Sequence, residues 1–320
     1  MQSSVQSSVE ANRSLQLKSQ KVSRFKLTAA GKKAALGYLF LSPFLILFIV
    51  FTVIPVVQSV YLSFTYYNML QPAKWVGLAN YSVLFLEDDI FIKSLKNTFV
   101  FAVIAGPLSY CLSFLLAWVI NTLRAKMLFS LAFYVPSITS GIALSIVWLY
   151  IFSGDRYGLL NNWMLSWGMI REPILWTTDP DTIMPVVIIV SLWMSMGTGF
   201  LVFLAGLQNV SPELYEAGAI DGISSRFQEL WYITLPMMKP QLLFGAVNAI
   251  VAAFGVFDIA VAMAGMPSPN YAGHTIISHL FDYAFIRFEL GYASSIAVFL
   301  FFITFGLGRI VMKLLSSKEQ

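Results

Sequence analysis

Side chains able to carry out chemistry are few in this 320-residue sequence. The two histidines, His274 and His279, are five residues apart near Asp282, and this spacing does not match the i, i+4 histidine pair of a helical zinc site. The single cysteine, Cys111, allows neither a disulfide nor a cysteine-ligated metal site within one chain. The sequence also lacks the Gly-x-x-x-x-Gly-Lys-Ser/Thr loop that cradles nucleotide phosphates. We therefore expect no catalytic residue, no metal and no cofactor in this chain.

The composition indicates an integral membrane protein. Hydrophobic residues make up 58% of the chain and charged residues only 11%, with a mean hydropathy of +0.74, whereas soluble domains carry about 25% charged residues. A membrane-spanning helix needs about 20 predominantly apolar residues. Six such runs predict an all-α protein with six spans, at 36–61, 98–120, 130–152, 184–207, 242–262 and 292–315.

The distribution of basic residues predicts the orientation. Of the 20 Lys and Arg residues, 14 lie in segments that an internal amino terminus would place in the cytoplasm, and 6 lie in the loops that would be outside. Cytoplasmic segments retain such positive charge, so both termini are expected in the cytoplasm. The predicted organisation is a basic tail at 1–35, a transmembrane domain at 36–315 and a short tail at 316–320. The net charge of +4 calls for no nucleic acid, because a basic tail suits the anionic lipid of the cytoplasmic leaflet.

One carboxylate interrupts the apolar spans. Asp258 lies in AAFGVFDIAVAMAG, and a mid-helix Asp costs about 2.5 to 3.5 kcal/mol on insertion scales. It is the strongest candidate in the spans for contact with a ligand, and Phe254, Phe257 and Asn248 are candidates for an aromatic and amide surface beside it. Trp193 is a weaker candidate, because aromatic residues near helix ends often mark the membrane interface. The alternative is that Asp258 makes a structural bond between helices.

The polar loop 211–236, SPELYEAGAIDGISSRFQELWYITLP, predicts two short helices. Ser211 and Pro212 suit the N-cap and the first helical position, and Gly222 permits a turn after Asp221. Ser225 and Gln228 fit a capping box that begins a second helix, which Pro236 is expected to end. Helices this short are marginal alone in water, so the loop is interpreted as an element that docks on a partner or on its own bundle.

The pair YEAGAIDG and FQELWYITLP resembles the Glu-Ala-Ala loop of permease subunits in binding-protein-dependent ATP-binding cassette (ABC) importers. WVGLANYSVLF with LKNTFVF, YVPSITSGIALSIVW with YGLLNNW, and FLAGLQNVSPELYEAGAIDG resemble the maltose-type, carbohydrate-importing branch. The resemblance implies the type I importer permease fold. It also implies that the loop holds a coupling helix that seats in a cleft of the ATPase subunit.

The resemblance assigns roles to particular positions. Glu216, Ala217, Asp221 and Gly222 match the family pattern for coupling to the ATPase. Two positions depart from it, because Gly218 stands where the family has a second alanine, and an isoleucine follows Asp-Gly where alanine is usual.

The resemblance also implies partners and a location. They are a second homologous permease, preferably a different chain, two cytoplasmic ATPases that hold ATP and Mg, and an extracytoplasmic solute-binding protein. The location is the bacterial inner membrane. The cargo is a sugar or oligosaccharide, and the details are similar to permeases for complex or acidic oligosaccharides, with alginate as a specific candidate.

Two other classes remain open from the residues alone. An ion-coupled secondary transporter would also be polytopic, but it often shows internal repeats, interrupted spans or several intramembrane charges. An intramembrane enzyme would need a convergent set of nucleophile, base or metal ligands. Uptake driven by an ion gradient alone distinguishes the first, and product formation without transport distinguishes the second.

Overall fold

The computed structural model describes residues 29–139, 141–195 and 197–316. By its internal contacts the chain divides after Gln58 into two units. The first described element is α1 (Ala29–Phe48), which continues through a π-helical segment, Ile49–Val53, into α2 (Ile54–Leu62). The helix begins at Ala29 and not at residue 36, so part of the predicted tail is helical. The rest of that tail, residues 1–28, and residues 317–320 lie outside the described residues.

The second unit contains a short β-hairpin followed by a series of helices. An antiparallel hairpin pairs β1 (Thr65–Tyr66) with β2 (Lys74–Trp75). The helices that follow are α3 (Ala79–Leu86), α4 (Asp89–Asn121), α5 (Lys126–Ile138), α6 (Gly141–Ile151), α7 (Leu159–Ser166), α8 (Pro180–Ser195) and α9 (Thr198–Gln208). We call the two ends of this unit the hairpin end, where α4 begins, and the loop end, where α4 ends.

The remaining elements contain two further π-helical segments. They are α10 (Pro212–Ile220), α11 (Arg226–Glu229), the π segment Leu230–Thr234, α12 (Leu235–Met237), α13 (Lys239–Phe254), α14 (Asp258–Ala264), the 3₁₀ turn Pro269–Tyr271, α15 (Ile276–Phe281), the π segment Asp282–Ile286 and α16 (Leu290–Ser316). The fold is therefore all-α apart from the two-residue strands of the hairpin.

The apolar helices agree with six spans, if the sharply bent pair α5 and α6 counts as one span. Five described stretches are long and apolar enough to cross a membrane, at 36–62, 89–121, 180–208, 239–264 and 290–315. The prediction of one continuous helix at 130–152 was wrong, because α5 and α6 meet at a bend of 97°. Pro136 lies in the last turn of α5, and Thr139 leaves the helix with extended backbone angles (φ −79°, ψ 145°). A proline weakens a helix by removing an N–H donor.

Helix α4 lies at the centre of the packing, in contact with α8, α9 and α13. Close approach depends on small residues at these crossings. A Cβ on Gly106 of α4 would lie 3.5 Å from Ala253 Cβ of α13. A Cβ on Gly245 of α13 would lie only 2.6 Å from the Phe203 ring of α9. Small residues let membrane helices approach closely where no hydrophobic effect draws them together.

Candidate functional site

The 211–236 loop is folded as two short helices. Helix α10 begins at Pro212, as predicted, although the Ser211 side chain makes no capping hydrogen bond. Gly222 follows with φ +94°, in the region that only glycine adopts at low cost. The predicted capping box is present, since Gln228 N donates to Ser225 Oγ (3.3 Å) and Ser225 N donates to Gln228 Oε1 (3.2 Å).

The prediction that Pro236 ends the second helix was wrong. The chain remains helical through the π segment Leu230–Thr234 and through α12, which contains Pro236, and the break comes at Met238. After the π segment, Pro236 occupies one of the first positions of α12, where its missing N–H costs little. The loop is therefore one connected helical element that leads into α13.

One side of α10 is anchored to its own chain. Gly218 is buried, and a Cβ there would lie 2.7 Å from Ile233 Cδ1 and 3.2 Å from Ile223 Cδ1. The Tyr215 hydroxyl lies 3.0 Å from Thr234 Oγ1. The two departures from the family pattern therefore lie side by side, because the isoleucine at 223 occupies space that glycine at 218 leaves open.

The other side of α10 is uncovered. Glu213, Glu216, Ala217 and Ile220 are exposed, and their i, i+3, i+4, i+7 spacing places them along one face. Ile220, at the end of this face, is 87% exposed. Of the predicted coupling residues, Glu216, Ala217, Asp221 and Gly222 lie on the surface, and Gly218 packs inward.

An open cavity of about 310 Å³ lies in the second unit, and Asp258, which is exposed, lines it. The fifth span breaks at Gly255, so Asp258 becomes the first residue of α14. Four serines also line the cavity, from α4 (Ser109), α6 (Ser145) and α8 (Ser191 and Ser195).

The serine hydroxyls are free to accept hydrogen bonds from a ligand. Three of them donate to carbonyls of their own helices, from Ser109 to Gly106 O (2.9 Å), Ser145 to Gly141 O (2.7 Å) and Ser195 to Leu192 O (2.9 Å). Ser191 Oγ is buried without a partner. Such an unpaired buried group usually has a ligand or water as its partner.

The predicted substrate residues do not all meet at this cavity. Phe257 lines it beside Asp258. Phe254 is buried against Phe99, with ring centroids 5.3 Å apart. Asn248 donates to Phe244 O of its own helix (3.0 Å) and faces outward. Trp193 packs against Trp148 and does not line the cavity. The four serines were missed because single serines in apolar helices give no sequence signal.

Comparison with known proteins identifies the family. Residues 109–318 match the family described as "Binding-protein-dependent transport system inner membrane component". The chain belongs to this family. It is 36% identical over 264 residues to the "Probable ABC transporter permease protein YesP" of Bacillus subtilis, covering 82% of this chain and 84% of that protein. It is 34% identical over 224 residues to the "Lactose transport system permease protein LacF" of Rhizobium radiobacter, covering 69% and 74%.

A solved structure has the same fold. A chain of "a bacterial ABC transporter involved in the import of the acidic polysaccharide alginate" matches with a TM-score of 0.76 at 22% identity, over 90% of this chain and 98% of that chain. The ABC importer permease fold, the inner-membrane location and the role as a transport component follow from these matches.

The hairpin end of this permease contains a buried polar cluster that the sequence did not predict. Asp88 caps α4 by accepting from Phe91 N (2.8 Å), and its other oxygen accepts from the Tyr292 hydroxyl (2.6 Å) and lies 2.8 Å from His279 Nε2. Burial acts to raise the pKa of Asp88, but the hydrogen bonds from His279 and Tyr292 hold that pKa well below its usual range. Asp282, the neighbour that the sequence suggested, instead pairs with Arg287.

This cluster links distant elements of the fold. Among the described residues, no group of three His, Cys, Asp or Glu side chains is placed to hold a metal ion. The cluster ties the start of α4 to α15 and α16, which are 191 and 204 residues away in sequence.

Proposed function

We propose that this chain is the transmembrane permease subunit of an ABC importer that moves a sugar or oligosaccharide into the bacterial cytoplasm, with ATP hydrolysed by a partner subunit. Relatives named for sugar transport support the cargo class, among them LacF and the "Arabinooligosaccharides transport system permease protein AraP" of Halalkalibacterium halodurans, which is 30% identical over 295 residues. The folded 211–236 loop supports the dependence on an ATPase.

The uncovered face of α10 is the observation that carries the coupling role. The helix is held to its own chain through Gly218 and Tyr215, so a force applied to its outer face is passed to the π segment and α13. The outer face presents Glu216 and the exposed Ile220 to the surroundings.

Charge reversal and apolar loss on that face test the coupling. Glu216→Lys and Ile220→Asp should insert normally but retain less ATPase during purification and support less ATP-dependent sugar uptake. Glu172→Lys is the matched control, because Glu172 is also exposed but lies in the segment between α7 and α8. Wild-type ATPase retention and uptake in both loop variants would show that the loop is only a connector. Uptake that persists without the ATPase would favour the ion-coupled secondary transporter.

We propose the serine-lined cavity as part of the substrate path. Hydroxyl groups and one carboxylate can accept hydrogen bonds from sugar hydroxyls, and Phe257 offers a flat surface to an apolar ring face. The cavity lining contains Asp258 and no basic residue. A neutral sugar therefore fits this lining better than a uronate such as alginate, which would place like charges together.

The Asp258→Asn substitution tests the path and separates the two kinds of cargo. For a neutral sugar, loss of the carboxylate should lower uptake while folding and assembly stay normal. For a uronate, removal of the repulsive charge should raise uptake. Asp181→Asn is the control, because Asp181 is exposed at the start of α8. Loss of folded protein in Asp258→Asn would indicate a structural bond between helices instead.

The proposed assembly contains two different permeases, two cytoplasmic ATPases that bind ATP and Mg, and an extracytoplasmic solute-binding protein. The family description supports the binding protein. The orientation, with both termini and the 211–236 loop cytoplasmic, rests on the basic residues of these segments. Purification of the tagged chain with identification of its partners tests the assembly. External labelling of a carboxyl-terminal tag in sealed cells would contradict the orientation.

A further inference from the structure

A second cavity, a groove of about 500 Å³, lies between α13 and α16, apart from the serine-lined cavity. Its walls are apolar side chains such as Val251 of α13 and Phe301, Phe305 and Met312 of α16. Gly308 also lines it, and a Cβ on Gly308 would meet no atom within 4 Å. The groove is therefore open space in the chain and not a tight helix crossing.

Among the described residues, Arg309 is the only charged one that lines this groove. It lies within the span 290–315, six residues from its end, or about 9 Å at the rise of an α-helix. Its guanidinium carbon lies 5.5 Å from the centroid of the Phe305 ring, and within the described part of the chain no carboxylate forms an ion pair with it. An arginine at this depth is costly unless an anion or water meets it.

We propose that this groove binds an anionic phospholipid, with one acyl chain along the apolar walls and the phosphate at Arg309. Arginine binds phosphate through two N–H donors at once. Its long side chain reaches the headgroup level while its methylene groups stay in the apolar region. Basic pockets between membrane helices are a recognised setting for anionic lipid headgroups. This proposal goes beyond the proposed transport function and does not depend on the cargo.

The charge of the groove favours a lipid over the second permease as its occupant. A protein partner would have to bring an acidic residue into the apolar region to pair with Arg309, and such residues are costly there. A phospholipid supplies the negative charge at the correct depth without that cost. Under the proposed orientation this end of α16 lies in the cytoplasmic leaflet, whose surface is negative.

Two pairs of variants on α16 test the proposal. Gly308→Leu fills the groove, and Gly306→Leu is its matched control because a Cβ on Gly306 also meets no atom within 4 Å but this residue does not line the groove. Arg309→Gln removes the proposed phosphate ligand, and Lys313→Gln removes a charge that does not line the groove. The gain in helix propensity is the same for both glycine variants.

The probe is phosphatidylglycerol with a photoactivatable acyl chain, added to membranes from cells that express the full-length chain with its natural partners. After illumination, mass spectrometry locates and counts the adducts. Adducts should map to the groove walls and fall about fivefold in Arg309→Gln, the factor for the ~1 kcal/mol that one basic residue contributes at an anionic surface. Gly308→Leu should lower them at least as much, and both controls should match wild type.

Other outcomes would overturn the proposal. Wild-type labelling in Gly308→Leu, or equal losses in Gly308→Leu and Gly306→Leu, would show that the lipid does not occupy the groove. Labelling of wild type by a phosphatidylcholine probe as strong as by the phosphatidylglycerol probe would remove the role of charge. Absent labelling in wild type, together with loss of the second permease in Gly308→Leu, would make the groove a subunit interface. If Gly308→Leu fails to accumulate, the Arg309→Gln and Lys313→Gln pair decides the question.

Discussion

Replacement of His274 by phenylalanine should make the permease less sensitive to acid. His274 lies between α14 and α15 at the hairpin end and is only 3% exposed. The pKa of His274 is lowered from 6.5 to about 4, chiefly by burial and also by electrostatic interaction with His279 and Arg287, while Asp282 and Asp88 act to raise it. Its Nδ1 atom is buried without a hydrogen-bond partner, which is consistent with a neutral ring.

The sign of the effect follows from the two protonation states. Between pH 6.5 and about 4 the unfolded chain takes up a proton at His274 that the folded chain does not. The contribution of neutral His274 to the free energy of unfolding is therefore fully present above that window and is lost as the pH falls through it. A fall in the pKa from 6.5 to about 4 corresponds to about 3 kcal/mol. Phenylalanine has a similar shape and no proton to take up, so this contribution disappears in His274→Phe.

Thermal unfolding of the purified permease between pH 7.5 and pH 4.5 measures the effect. Wild type should lose more stability on acidification than His274→Phe, and the two should be close at pH 7.5. Tyr271→Phe is the control, because Tyr271 contacts His274 (ring centroids 5.4 Å apart) and the substitution removes only a hydroxyl group. Equal pH slopes in wild type and His274→Phe would refute the argument that a buried neutral histidine opposes acid.

Three further substitutions test the backbone and packing arguments. Gly291→Ala should lower the yield of folded permease, because its Cβ would overlap the carbonyl oxygen of Thr65, and limited proteolysis at the hairpin measures this. Gly222→Ala should weaken retention of the ATPase, since φ +94° costs a side chain about 1 to 2 kcal/mol, although there is open space around it. Gly218→Ala and Ile233→Val should each destabilise the loop, while the double variant recovers part of the loss in a thermal double-mutant cycle, because valine lacks the Cδ1 atom that lies 2.7 Å from the new methyl group.

Local features could be predicted from the sequence because their causes are local. The apolar runs that predict spans need only length and composition, and five of the six correspond to described stretches long and apolar enough to cross a membrane. In the 211–236 loop, Pro212, Gly222 and the Ser225–Gln228 pair act within a few residues of themselves, so the helix starts and the turn were predicted correctly.

Features that depend on how the backbone adjusts around a proline were not predicted. They are the 97° bend between α5 and α6 and the helical continuation through Pro236. The chain leaves the helix soon after the proline of α5, whereas it stays helical through Pro236. The difference is the π segment before Pro236, which lets the proline begin a new helical stretch. A proline in the sequence gives the lost donor but not the way in which the backbone adjusts.

The candidate site was only partly predictable for a similar reason. Asp258 could be selected because a carboxylate in an apolar span is costly by itself. The cavity serines come from three helices, and the contacts of Asp88 span 191 and 204 residues, so neither group has a pattern in the chain. The local signal for Asp88 was its position as the N-cap of α4, which does not reveal its partners.

Helix α4 connects the Asp88 cluster, the serine-lined cavity and the 211–236 loop. Its 33 residues extend about 50 Å. Asp88 holds its first turn to α15 and α16, Ser109 lines the serine-lined cavity, and the Trp118 ring lies 5.7 Å from the Phe227 ring of the 211–236 loop. Pro107 removes one backbone hydrogen bond beside the cavity, so α4 is weakest next to the proposed substrate path. A displacement of the loop therefore reaches the cavity wall through one continuous helix whose far end is fixed.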